Sequence, residues 1–177
     1  MFVNKIGVIS SSPVTAFSNK YSLDFDGTDD LVALASSVTA GTNSTQAMWI
    51  KRNNLADDAF LWSEDDYSND YSIYFGGGNE GAHDLVVQFG TKLVTFVHAD
   101  TNAALYTTDW IHIVLTRRDG ACKLYVNGAL KETQTEGDAF DDEATAIDTI
   151  GNKPNGTKPL DGRIDEAAIW SATLDAN

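Results

Sequence analysis

An all-β fold, a sandwich or barrel of short antiparallel strands, is what this sequence predicts, and three observations carry the prediction. Apolar and polar residues alternate with period two along most of the chain. Gly, Asn and Asp punctuate the runs at short intervals, and no stretch sustains helical periodicity over ten residues. The 177 residues, 42% hydrophobic and 21% charged with three prolines, suit one compact domain that buries roughly 70% of its unfolded surface.

Residues 1–20, with Ser10-Ser11-Ser12-Pro13 at their middle, read as an arm that precedes a domain over residues 21–177. Tyr21, Leu23 and Phe25 alternate with Ser22, Asp24 and Asp26. Gly27-Thr28-Asp29-Asp30 then turns the chain into Leu31-Val32-Ala33-Leu34, which predicts strand, turn and strand. Runs rich in aromatic and β-branched residues follow over 47–52, 59–63, 71–75, 85–89 and 93–97. Residues 110–116, 123–126 and 129–134 are joined by Asp119-Gly120 and Asn127-Gly128. Asn-Gly suits a type I′ turn, whose two central residues need positive φ. These runs predict a three-stranded meander with Ile111, Ile113, Leu115, Leu124 and Val126 facing the core. Residues 162–170 read as the last strand.

Twelve Lys plus Arg against 26 Asp plus Glu give a net charge of -14, and the excess is concentrated. Residues 53–91 hold eight acids and no base, and residues 132–152 hold seven acids and no base. Unpaired carboxylates rarely stay buried, so both stretches are expected mainly in exposed loops. The remainder, which includes Lys5, Lys20 and the arm around them, is the expected attachment side. Without a basic stripe, nucleic acid and anionic membrane surfaces are poor partners. No apolar run approaches the roughly 20 residues that span a bilayer, and the first residues show no signal peptide, so no membrane insertion is expected. Cys122 is the only cysteine, which excludes an intramolecular disulfide, a CxxC pair and a cysteine-based metal site.

Two segments hold candidate ligand groups. Asp26, Asp29 and Asp30 lie within five residues around Gly27 and offer hard oxygen ligands of the kind Ca²⁺ takes, though the same residues also suit an Asx-type turn without any ion. Trp62, Asp65, Asp66, Tyr67, Asn69 and Tyr71 mix rings with carboxylates and an amide, which suits the apolar faces and hydroxyl groups of a sugar. The other reading is that Trp62 and Tyr71 end core strands and the acids solubilise a loop. His83, His98 and His112 have no metal-ligand spacing, and no Gly-x-Ser-x-Gly elbow is present.

The segments Leu23-Asp24-Phe25-Asp26-Gly27-Thr28-Asp29-Asp30-Leu31-Val32, Gln46-Ala47-Met48-Trp49-Ile50-Lys51, Trp110-Ile111-His112-Ile113-Val114 through Leu124-Tyr125-Val126-Asn127-Gly128, and Ile150-Gly151 through Leu160-Asp161-Gly162-Arg163-Ile164-Asp165-Glu166-Ala167-Ala168-Ile169-Trp170 occur in this order. In that order they resemble the laminin-G-like, concanavalin A-like jelly-roll domains common in bacterial and phage surface proteins. The resemblance covers Tyr21 to Leu174 and implies an antiparallel two-sheet jelly-roll sandwich. It also implies that the first and last strands lie side by side, so that Asp165 joins Asp26, Asp29 and Asp30 at a structural Ca²⁺. Such domains usually continue past Leu174, so the domain is expected to be cut short at its C-terminal end, and the acidic stretch 132–148 is expected as this chain's own insert.

Some jelly rolls of this superfamily cleave polysaccharides with paired carboxylates, which on a strand requires i, i+2 spacing. Asp165 and Glu166 are adjacent, and Asp24 and Asp26 run straight into a turn, so no enzyme is expected. The expected function is a non-catalytic, surface-displayed module. With no export signal it suits a phage virion, as capsid decoration, fibre or tail surface, where residues 1–20 contact other virion subunits or further copies and the domain contacts a glycan. The alternative is a free or secreted carbohydrate-binding lectin.

Overall fold

The computed structural model describes residues 20–56, 58–64, 71–76, 84–90, 92–96, 104–135 and 145–174. These hold twelve strands: β1 (Leu23–Asp26), β2 (Val32–Ala40), β3 (Ser44–Arg52), β4 (Ala59–Ser63), β5 (Ser72–Phe75), β6 (Leu85–Phe89), β7 (Lys92–Phe96), β8 (Ile111–Arg118), β9 (Ala121–Val126), β10 (Ala129–Thr135), β11 (Thr145–Ile150) and β12 (Asp161–Trp170). They form two antiparallel sheets of six strands, ordered β1-β12-β3-β8-β9-β10 and β2-β11-β4-β5-β6-β7, which is the expected jelly-roll sandwich. No helix long and apolar enough to cross a membrane is present among the described residues.

Strand alternation builds the core. Ile111, Ile113 and Leu115 of β8 and Cys122, Leu124 and Val126 of β9 are buried, as expected, while His112 and Val114 between them are half-buried on the other face. They form one cluster with Ile73, Phe75, Leu85, Val87 and Phe96 of the second sheet. Each fully buried Leu or Phe contributes roughly 1.5–3 kcal/mol. The meander turns as its sequence demands, with φ of 49° and 69° at Asp119 and Gly120 and 52° and 78° at Asn127 and Gly128. The Asn127 side chain secures the second turn by accepting the His112 N–H at 2.9 Å.

Two buried arginines stand inside the sandwich near opposite ends of β3. Arg52 ends the strand, and Arg117 pairs with Ser44 at its start. Burying a guanidinium is costly unless it finds partners. Arg52 lies 3.7 Å from the Phe75 ring centroid and donates to the Leu105 carbonyl at 2.8 Å. Arg117 lies 4.5 Å from the Phe89 ring. Burial lowers the Arg52 pKa to about 10, so the group stays charged at neutral pH.

The described parts of the acidic stretches include strands and partly buried acids. Residues 132–148 are not simply an exposed insert: β10 runs to Thr135, and β11 lies between β2 and β4 with Ile147 fully buried. Ile147 and Thr149 face inward around Asp148, an alternation that the preceding run of acids hides. The Asp148 carboxylate accepts the Ser37 hydroxyl proton across a register shift in β2. Asp84 is buried at the start of β6, and Asp58, Glu64 and Asp148 are half-buried because each has a partner that offsets its desolvation. Residues 65–70, 77–83 and 136–144, which carry most of the remaining acids of these stretches, lie outside the described residues, as do residues 1–19.

Two outcomes follow from this packing. Leu124→Ala should lower unfolding stability by about 2–5 kcal/mol with an unchanged denaturant slope, measured by urea unfolding. Burial pushes the Cys122 thiol up to about 12, so the native protein should not react with an aromatic disulfide reagent at pH 8, whereas the unfolded chain should react fully.

Candidate functional site

The antiparallel pairing of β1 with β12 sets Asp26 opposite Asp161 and Asp24 opposite Arg163. Asp24 is engaged there, accepting from the Arg163 guanidinium at 3.1 Å. Asp26 ends β1 and starts a turn folded around its own carboxylates. Its Oδ1 accepts the Thr28 N–H at 2.8 Å, and Asp30 Oδ2 accepts the Asp26 N–H at 3.0 Å. Gly27 is required inside this turn: its φ is 74°, and a Cβ there would stand 2.8 Å from the Asp161 Cβ. The outcome is that Asp26, Asp29 and Asp30, all exposed, offer carboxylate oxygens within 4.8 Å of one another.

Beside this cluster a recess of about 630 Å³ opens between the β1–β2, β3–β4 and β11–β12 connections, lined by Asp26, Asn54, Asp58, Thr157, Lys158 and Asp161 among others. The Asn53 side chain donates to Asp161 Oδ1 at 2.9 Å, and Lys158 pairs with Asp58 at 2.9 Å. Asn152, fully buried, anchors the far wall. Its Oδ1 accepts the N–H groups of Lys153 and Lys158 at 2.8 and 3.0 Å, and its amide donates to the Asp30 carbonyl at 3.4 Å. One buried amide thus ties the β11–β12 connection to the acidic turn.

Of the expected metal ligands, the fold gathers Asp26, Asp29 and Asp30 and leaves Asp165 out. Asp165 pairs with Trp49, four residues along β12 from Asp161, and so stands about 13 Å from it at 3.3 Å per residue. Its carboxylate accepts the Glu166 N–H at 2.8 Å. The residue of the closing strand that does approach the turn is Asp161. Three oxygens within 4.8 Å fit on one Ca²⁺, whose ligands at 2.3–2.6 Å stand up to about 5 Å apart.

Of the expected ligand platform, the structure describes two rings, and both lie in the core. Trp62 is 2% exposed and Tyr71 4% exposed, both within the core cluster. The Tyr71 hydroxyl donates to Gln46 Oε1 at 2.6 Å inside the sandwich, and burial pushes its pKa far up. The Tyr71 ring packs there against Phe89, with centroids 5.3 Å apart. Asp65, Asp66, Tyr67 and Asn69 lie outside the described residues. Asn54, Asp58, Lys158 and Asp161 were not singled out by the sequence, because they converge from separate connections and carry no local spacing.

Two stacked six-stranded sheets with an acidic turn at one end define a lectin-like jelly roll. The chain belongs to the concanavalin A-like lectin/glucanases superfamily, whose laminin-G-type family matches residues 26–177. No curated protein is similar enough in sequence to match. Among solved structures, a heptameric SAP-like pentraxin from Limulus polyphemus is similar with a TM-score of 0.63 at 16% identity, over 86% of this chain and 76% of that one. A proposed carbohydrate-binding protein from Bacteroides ovatus is similar with a TM-score of 0.59 at 16% identity, over 90% of this chain and 47% of that one. Domain 4 of an extracellular arabinanase from Geobacillus stearothermophilus, solved with arabinotriose, gives a TM-score of 0.57 at 21% identity, over 88% and 68%. At these identities the likeness is one of fold.

Saturating CaCl2 added to chelator-treated protein should raise the unfolding midpoint by about 5–10 °C, the shift that 100-fold excess over Kd brings to a domain of this size. Asp29→Asn and Asp30→Asn should lose the shift and Asp165→Asn should keep it, all read by thermal denaturation. An equal shift in all three variants would place the ion elsewhere.

Proposed function

We propose that this chain is a non-catalytic, lectin-type module that binds a glycan at the loop end of the sandwich, beside Ca²⁺ held by Asp26, Asp29 and Asp30. The observation that carries this reading is the make-up of the recess. Carboxylates of Asp26, Asp58 and Asp161, the Asn54 amide, the Thr157 hydroxyl and the Lys158 ammonium surround about 630 Å³. Sugar hydroxyls donate and accept at once, and this wall offers both acceptors and donors. A domain of similar fold solved with arabinotriose supports the ligand class.

The same carboxylates argue against hydrolysis. Glycoside cleavage needs two carboxyl groups poised across a cleft, one as acid and one as base or nucleophile. Here Asp58 is paired with Lys158, Asp161 accepts from the Asn53 amide and Asp26 accepts the Thr28 N–H. We read groups held in this way as suited to recognition rather than to proton transfer. We read the module as displayed on a phage virion, as capsid decoration, fibre or tail surface, which the sequence resemblance to bacterial and phage surface domains supports. In this reading residues 1–20 attach it to other virion subunits or to further copies.

Glycan-array binding in Ca²⁺ should drop roughly tenfold or more in Asp161→Ala and Asn54→Ala, with folding checked by the unfolding midpoint. Unchanged binding in both folded variants would remove the ligand from this recess. Deleting residues 1–19 should spare folding and abolish incorporation into particles, read by mass spectrometry of purified virions. Normal incorporation of the truncated protein would place attachment elsewhere.

A further inference from the structure

The outer face of the β1-β12-β3-β8-β9-β10 sheet holds a second depression, away from the loop end. Register builds its floor. Ala168 lies opposite Ala47, which lies opposite Val114, and the next row brings Trp170, Thr45 and Thr116 together. These small side chains sink below Trp170, 40% exposed, and Tyr125, leaving a trough of about 560 Å³. His112 lines the trough too, its ring backed by Trp49 outside it at a centroid distance of 5.0 Å.

Glu166 completes the wall. β12 shifts register between Asp165 and Ala168, and Glu166 takes a φ of 48° there. A left-handed residue other than glycine is strained, and such strain collects where a side chain must be aimed. Glycine would adopt this conformation freely, yet the position carries an exposed carboxylate beside an imidazole. Burial lowers the His112 pKa, against a smaller upward pull from Glu166, so the ring is neutral at pH 7 and both donates and accepts.

We propose that this trough is a second, cation-independent saccharide subsite, which seats the C–H face of a neutral or amino sugar on Trp170 and Tyr125 and its hydroxyl groups on Glu166 and His112. Rings beside a floor of small residues fit the apolar face of a pyranose, and the volume lies within the range of small-ligand sites, about 300–1,000 Å³. The carboxylate in the wall of a chain of net charge -14 disfavours acidic sugars and phosphates. This subsite does not depend on the loop-end reading.

The test is a titration of ¹⁵N-labelled full chain in EDTA with glucose, galactose, mannose, glucosamine and glucuronate, followed at the tryptophan indole N–H signals. A neutral or amino sugar should shift Trp170 and spare buried Trp62, and glucuronate should bind at least roughly fivefold more weakly. No shift with any neutral or amino sugar, or shifts that require Ca²⁺, would overturn the proposal. Failure of the loop-end variants to change array binding would leave these signals untouched, so the two readings fail separately. Glu166→Gly should raise the unfolding midpoint by about 2–4 °C while weakening the sugar roughly tenfold. A lowered midpoint, or unchanged sugar binding, would show that Glu166 is not kept for a ligand.

Discussion

The register of β1 against β12 is the constraint on which the loop end depends. Pairing Leu23 with Ile164 and Phe25 with Gly162 is what sets Asp26 opposite Asp161. Phe25 is buried and passes so close to Gly151 that a Cβ there would stand 2.1 Å from its ring, at a φ of 86° that already favours glycine. The connection after β11 therefore tucks under β1, where Leu160 donates to the Gly151 carbonyl and Gly27 donates to the Leu160 carbonyl. The recess walls are fixed by backbone hydrogen bonds before any ligand arrives. A glycan bound there, as proposed, would meet walls that need little further ordering.

Charge and edges are arranged to keep the module soluble at its exposed faces. The bases Lys51, Lys123 and Arg163 lie on strands of the first sheet. Three of the four edge strands offer little to a neighbouring chain. β1 has four residues and two aspartates, β10 carries Lys131 and Glu132 across a register shift, and β2 is distorted opposite Asp148.

Much of the fold was legible in the sequence because period two is a local signal. Ile111, Ile113, Leu115, Leu124 and Val126 declare their faces within their own strands, and Asn127-Gly128 declares its turn. The cluster of Asp26, Asp29 and Asp30 was legible for the same reason, being confined to one turn. Asp161 was not, because its approach depends on strand register, and Asp165 sits four residues further along the same closing motif. For Trp62 and Tyr71 the sequence left two readings open, ligand platform or core strand ends, and only their burial chooses the core, while β11 was masked by its acidic neighbours.

Anomalous diffraction from a crystal grown with Mn²⁺ in place of Ca²⁺ tests the placement of the site most directly. The expected result is one peak within ligand distance of the Asp26, Asp29 and Asp30 carboxylates, at the mouth of the recess that Asp161 lines. A peak at Asp165, or none beside these three residues at saturating metal, would contradict it.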